Sequence, residues 1–80
     1  MHDPNAHASA LRRRLAANVR RLRQEQSMTQ EALAEAAELD RRHVAKIEAA
    51  EANVTIGTIV KLANAFRVDV PALLDRPPRR

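Results

Sequence analysis

Apolar residues return along this chain mostly at steps of three and four, with polar residues between them. Leu11, Leu15, Val19 and Leu22 follow at spacings of four, four and three. That spacing puts them on one face of a helix, predicted over residues 9–26. Further on, Ile56, Ile59, Leu62, Ala63 and Phe66 form the most regular stripe and predict a helix over 56–66. No stretch alternates convincingly with period two, so no sheet is predicted.

Four short polar residues punctuate the pattern. Thr29 sits between Met28 and Leu33, Asp40 between Leu39 and Val44, Thr55 between Val54 and Ile59, and Asp69 between Val68 and Leu73. Each reads as an N-cap: the side-chain oxygen accepts an orphan backbone N–H, and the flanking apolar pair staples the chain's entry. Helices are therefore predicted at about 30–37, 41–50, 56–66 and 70–75 as well. Pro71 falls in the first turn of the last one, where a missing N–H does no harm. The expected fold is all-α, a compact five-helix bundle spanning 9–75 as one domain. Residues 1–8, "MHDPNAHA", show no apolar period and are expected to be a flexible arm. Residues 76–80, "RPPRR", cannot stay helical through Pro77 and Pro78 and are expected to be a basic, extended tail.

The second and third predicted helices meet in "TQEALAEAAELDRRHVAKIE", residues 29–48, with about two residues between them. So short a connection forces a large crossing angle, as in a helix-turn-helix. Close crossing needs small side chains at the contact, which Ala34 and Ala37 supply. Leu33, Leu39, Val44 and Ile47 then form the apolar wedge. A generic antiparallel hairpin would usually fill its seam with longer side chains.

Charge sharpens the reading. The chain of 80 residues carries a net charge of +4, and residues 12–23 hold Arg12, Arg13, Arg14, Arg20, Arg21 and Arg23 without one acid. Such a balance suits a polyanion. The lone aromatic, Phe66, disfavours single-strand binding by stacking and RNA-reading aromatic sheets. There is no Cys, one Gly (Gly57) and no cluster of His with carboxylates, so neither an enzyme nor a metal or other cofactor is expected. His2 and His7 share the arm without further ligands, and Glu31, Glu35 and Glu38 are one helix face of balancing acids. No apolar run approaches the ~20 residues of a membrane span. No signal segment is evident, and no small-molecule ligand is implied. A soluble, cytoplasmic protein is expected.

Facing away from the wedge, the third helix presents Arg41, Arg42, Ala45, Lys46 and Ala49. An α-helix fits the major groove of B-DNA, with its first turn nearest the bases. Arg41 and Arg42 occupy that turn, and arginine bidentate to guanine is the commonest specific contact. Two cations there oppose the helix macrodipole, which costs up to ~1 kcal/mol each. Local cost without local gain points to an anionic ligand. Lys46, one turn on, can reach a base or a phosphate. His43, on the helix's flank, suits a polar surface contact better than base reading.

Residues 15–74 resemble the helix-turn-helix domain of the Cro and phage-repressor type, the XRE family. The resemblance rests on "VRRLRQEQSMTQEALA", "ELDRRHVAKIE" and "NVTIGTIVKLANAFRVDVPALL" in that order. The "LDR", the "V" and "IE" after it, and the later "N-x-T-I" are also similar to the small controller proteins of restriction-modification systems. The resemblance implies double-stranded DNA as partner, with Arg41, Arg42, Ala45 and Lys46 reading bases. It implies that Gln30, beside the cap Thr29, binds a phosphate at the start of its helix. It implies a buried salt bridge of Arg23 with Glu48, tying the first helix to the third. Two departures stand out: Glu38 and Ala50 occupy positions usually held by Gly. At φ > 0 a non-glycine residue costs ~1–2 kcal/mol, and the third helix is expected to run slightly longer through Ala50.

Thr29, Arg20, Arg21 and His43 are expected to hold further phosphates, positioning the protein while Arg41 and Arg42 specify. One recognition helix covers few base pairs, so a homodimer on an inverted repeat is expected. Its surface would lie on the last two helices, where Val60, Val70 and Leu74 leave more apolar surface than a monomer needs. The alternative is an antitoxin-like or adaptor module using the same fold mainly for protein contacts, for which a less cationic third helix would be expected.

Overall fold

The computed structural model describes residues 4–78 of the chain. It contains α1 (Pro4–Glu25), α2 (Gln30–Ala37), α3 (Arg41–Glu48), α4 (Ile56–Phe66) and α5 (Pro71–Leu74), with no strand among the described residues. The core joins Leu15, Val19 and Leu22 of α1 to Leu33 of α2, Val44 and Ile47 of α3, Leu62 and Phe66 of α4, and Leu73 of α5. Helix α1 is the spine, packed on both α3 and α5, while α2 lies against α3 and α4.

Helix α1 starts well before Ser9. Residues 4–8, expected in a flexible arm, are its opening turns; residues 1–3 lie outside the described residues. Pro at the first helical position and alanines at 6, 8 and 10 favour this start without any apolar period. Leu11, expected on the core face, is 45% exposed, because this end of α1 reaches past the core. Ile56 is 81% exposed for the same reason at the first residue of α4. Residues 76–78 are not helical, and 79–80 lie outside the described residues.

Three caps form as expected. Thr29 Oγ1 accepts from Ala32 N at 2.9 Å, Asp40 Oδ1 from Arg42 N at 2.7 Å, and Thr55 Oγ1 from Thr58 N at 3.1 Å. Asp69 makes no such bond. The N–H of Ala72 goes instead to the Asp69 backbone carbonyl, and Pro71 has no N–H to offer. Val70, itself helical in φ and ψ, occupies the cap position, and α5 shrinks to four residues.

Three connections are built alike. Ser27–Met28–Thr29, Glu38–Leu39–Asp40 and Arg67–Val68–Asp69 each begin with a left-handed residue at φ between 56 and 59°. The apolar residue after it sends its N–H five residues back, Met28 to Arg23 O, Leu39 to Ala34 O and Val68 to Ala63 O, at 2.8–3.0 Å. This is the Schellman ending, with the apolar residue sealing the finished helix against the core. The same residue precedes the next polar position, so one side chain closes one helix and leads into the next. Ala50 repeats the geometry at φ 61° and ends α3 at Glu48. The expected extension of that helix does not occur, because the left-handed turn forms without glycine.

A candidate nucleic-acid interface

Helix α3 is divided by its sequence. Val44, Ile47 and Glu48 are buried, while Arg41, Arg42, Lys46 and Ala49 are exposed and Ala45 and His43 half-buried. Buried Ala34 and Ala37 let α2 lie close behind it. The Arg41, Arg42 and Lys46 side chains make no hydrogen bond or ion pair with another described residue. Their helix begins with two cations and no acid in its first turn; the N-cap Asp40 carboxylate is engaged by the Arg42 backbone N–H. The side chains of Arg41, Arg42 and Lys46 are left as guanidinium and ammonium donors without an acceptor among the described residues.

Behind it, Arg23 and Glu48 meet. Arg23 Nε donates to Glu48 Oε2 at 2.6 Å and Nη2 to Oε1 at 3.1 Å, with the two side chains 17% and 6% exposed. Arg23 Nη1 also donates to Met28 O at 2.9 Å, within the turn into α2. The carboxylate's hydrogen bond raises the Arg23 pKa, against the opposing effect of burial. Two-point pairing of planar groups fixes orientation as well as distance. It ties α1, the α1–α2 turn and α3 into one frame.

Gln30 belongs to the same frame. Its Nε2 donates to Glu48 Oε1 at 3.2 Å, while its backbone opens α2. Thr29 is exposed beside it, its hydroxyl engaged in the cap. Arg20 donates to the Glu48 carbonyl at 3.2 Å, putting a cation at the negative end of α3. Arg21 is on the opposite flank. It reaches Glu25 at 3.3 Å and the Asn18 side-chain oxygen at 3.2 Å, and Asn18 in turn is held by α5. The structure therefore gathers Thr29, Gln30, Arg41, Arg42, Ala45 and Lys46 around α2 and α3, and leaves Arg21 apart from them.

Asn18 escaped the sequence reading. It is 1% exposed, and its Nδ2 donates to Leu73 O at 2.9 Å and Asp75 O at 2.8 Å, satisfying carbonyls at the end of α5. Its signal was a polar residue inside the Leu15–Leu22 stripe of α1. Arg12 Nη1 to Asn53 Oδ1 at 2.8 Å, which ties α1 to the loop before α4, had no such signal.

Val60 is 41% exposed, and Val70 and Leu74 are half-buried against the core. Of the three, Leu74 alone lines an apolar hollow between α1, α4 and α5, together with Leu11, Leu15, Val54 and Ile59. No helix of the described residues is long and apolar enough to cross a membrane.

Comparison with known proteins agrees with this architecture. Residues 19–73 match the family model described as Helix-turn-helix. Control protein C.SmaI of Serratia marcescens is 44% identical over 62 residues, 78% of this chain and 74% of that protein. The hypothetical transcription factor NHTF from Neisseria superposes with a TM-score of 0.81 at 37% identity, over 84% of this chain and 77% of its own. The restriction-modification controller protein C.AhdI from Aeromonas hydrophila superposes with a TM-score of 0.75 at 32% identity, over 78% and 94%. The chain thus belongs to the helix-turn-helix family of the Cro and phage-repressor (XRE) type, as a DNA-binding regulator similar to restriction-modification controller proteins.

Proposed function

We propose that the protein is a homodimeric transcriptional regulator that binds an inverted-repeat operator, acting in the cytoplasm on the genes of a restriction-modification system. The observation that carries sequence-specific binding is the first turn of α3: Arg41 and Arg42 are exposed and cationic, and their side chains have no acceptor among the described residues. Arg41, Arg42, Ala45 and Lys46 read bases from the major groove. The α2 N-terminus at Thr29 and Gln30, with Arg20 and His43, holds the backbone on either side. Gln30 does so chiefly through its helix-end N–H, since its side chain also serves Glu48. The relatives' names, a control protein and a restriction-modification controller, support the choice of regulated system.

Dimerisation rests on the apolar surface. Ile56, Leu11 and Val60 are 81%, 45% and 41% exposed, and Leu11 and Leu74 line the apolar hollow. A second copy seated on the last two helices covers this apolar surface. Two-fold assembly would present two α3 helices one DNA turn apart, ~34–36 Å. Selection of bound duplexes from a random pool tests the whole reading. An enriched inverted repeat is expected, with half-sites one turn apart. A single unrepeated site together with a monomer in sedimentation at micromolar concentration would remove the dimer, and no enrichment would remove sequence-specific binding.

A further inference from the structure

Beyond Arg20, which the operator reading uses, the outer side of α1 carries cations that this reading leaves idle. From Pro4 to Gln24 the helix has no carboxylate, and Arg13, Arg14 and Arg21 lie along it. With about 100° between successive residues, Arg13, Ala17, Arg21 and Gln24 fall opposite the buried Leu15, Val19 and Leu22. Two shallow concavities open there. Arg20, Arg21, Gln24 and the Glu25 carboxylate line one, Ala10, Arg13 and Arg14 the other, and Pro77 borders both. Together they make a shallow groove along the back of α1 with Pro77 at its far side, most positive at Arg13 and Arg14 and partly balanced by Glu25 at the other end.

The cations of this groove are poorly matched within the protein. Arg13 and Arg14 make no hydrogen bond or ion pair with another described residue. Arg21 meets Glu25 at 3.3 Å and Asn18 at 3.2 Å, both long for charge-assisted bonds, and its Nε is shut from water without an acceptor. The flank also differs from that of α3. Arg23 turns toward Glu48, whereas Arg21 and Asn18 turn toward α5.

We propose that this groove binds the phosphate backbone of a second duplex segment, distinct from the bases under α3. The proposal rests on DNA as the partner of α3. Arg14 and Arg21 are seven residues apart, ~10 Å along the helix. A duplex strand presents a phosphate every ~3.4 Å of its axis, so the groove spans about three of them. The groove has no aromatic side chain, and Phe66 is buried, so bases of a single strand find no stacking platform. A duplex arrives rigid, while an acidic peptide must be ordered along the groove at an entropic cost. One protomer can therefore hold its operator with α3 and a flanking or separate duplex with α1.

Salt titration of the full chain against a random-sequence duplex tests this. Arg13→Gln with Arg14→Gln should lower the slope of log affinity on log salt by about 0.9 for each phosphate left without its cation, hence by about 1.8. Arg13→Lys with Arg14→Lys should keep the slope, since charge carries the interaction. Binding to a short duplex bearing only the selected site should stay within two-fold of the parent. Parent protein on an immobilised selected duplex should capture a labelled random duplex, and the glutamine variant should not. Arg41→Ala with Arg42→Ala should erase site preference yet leave the slope difference between parent and glutamine groove intact, which separates failure of the operator reading from failure of this one. An unchanged slope would overturn the proposal. So would equal loss on the short selected duplex, capture surviving the glutamine changes, or polyglutamate competing as well as duplex at equal charge.

Discussion

Arginines cluster both in the second half of α1 and in the first turn of α3, but the two clusters meet different surroundings. Arg20, Arg21 and Arg23 in α1 each find an oxygen from their own chain, whether carbonyl, amide or carboxylate. Arg41 and Arg42 find none and sit where the helix dipole disfavours them. The residue type is the same, and a buried carboxylate makes the difference. Where the fold supplies one, as at Arg23, arginine ties helices together; where it supplies none, as at Arg41 and Arg42, arginine is left for a ligand.

The largest test of this contrast is at the acceptor. Glu48→Ala strands Arg23 at 17% side-chain exposure and should cost ~3–5 kcal/mol, a loss visible in denaturant unfolding. Replacing Arg23 and Glu48 together by methionine should cost much less, because no charge is left unpaired. If the double change is as damaging as the single one, the pair is not what fixes the frame. Arg41→Ala and Arg42→Ala should behave in the opposite way. Each should weaken operator binding by ~1–3 kcal/mol and relax base preference, measured by gel shift, while leaving the unfolding midpoint unchanged or slightly raised.

Asn18→Ala should destabilise by ~1–3 kcal/mol, since it strips two carbonyls at the end of α5 of their donor. Affinity for a short duplex bearing only the selected site should not change per folded molecule, which would set the α5 flank of α1 apart from the α3 flank. The smallest effect concerns Glu38, exposed at φ 58°. Glu38→Gly should stabilise by about 1 kcal/mol by removing the left-handed penalty, partly offset by the unfolded chain's greater freedom. A fall in melting temperature would instead show that Glu38 makes a compensating interaction.

The α2–α3 unit was legible in the sequence because its signals are local. Thr29 and Asp40 reach backbone N–H groups two or three residues on, and Ala34 and Ala37 mark close packing. Asp69 carried the same signal and failed, because Pro71 removed one donor and left α5 a single turn. Leu11 and Ile56 fitted apolar stripes that continue past the end of the core, so periodicity placed them correctly on a face but not against a neighbour. Asn18 was the reverse case, a polar residue whose partners are carbonyls more than fifty positions away. A left-handed residue was foreseeable at Glu38, where the family's pattern has glycine; at Ala50 the same departure pointed instead to a longer helix, and the left-handed turn formed without glycine. Ser27 and Arg67 carry no such flag, and what sets their conformation is the apolar residue that follows each.

Those apolar residues bear on how the domain opens. Met28 and Leu39 each seal the helix behind them and staple the one ahead, so neither helix can fray without loosening its neighbour. Val68 seals α4 in the same way, but the helix it leads into has no side-chain cap. Backbone amides of α1 to α4 should thus exchange with solvent at a common free energy, in a single cooperative opening. Those of α5, one turn long and held through Asn18, should exchange earlier, as a separate and smaller unit. The first part of the molecule to come loose is then the side of α1 farthest from α3, and the reading head stays folded while it does.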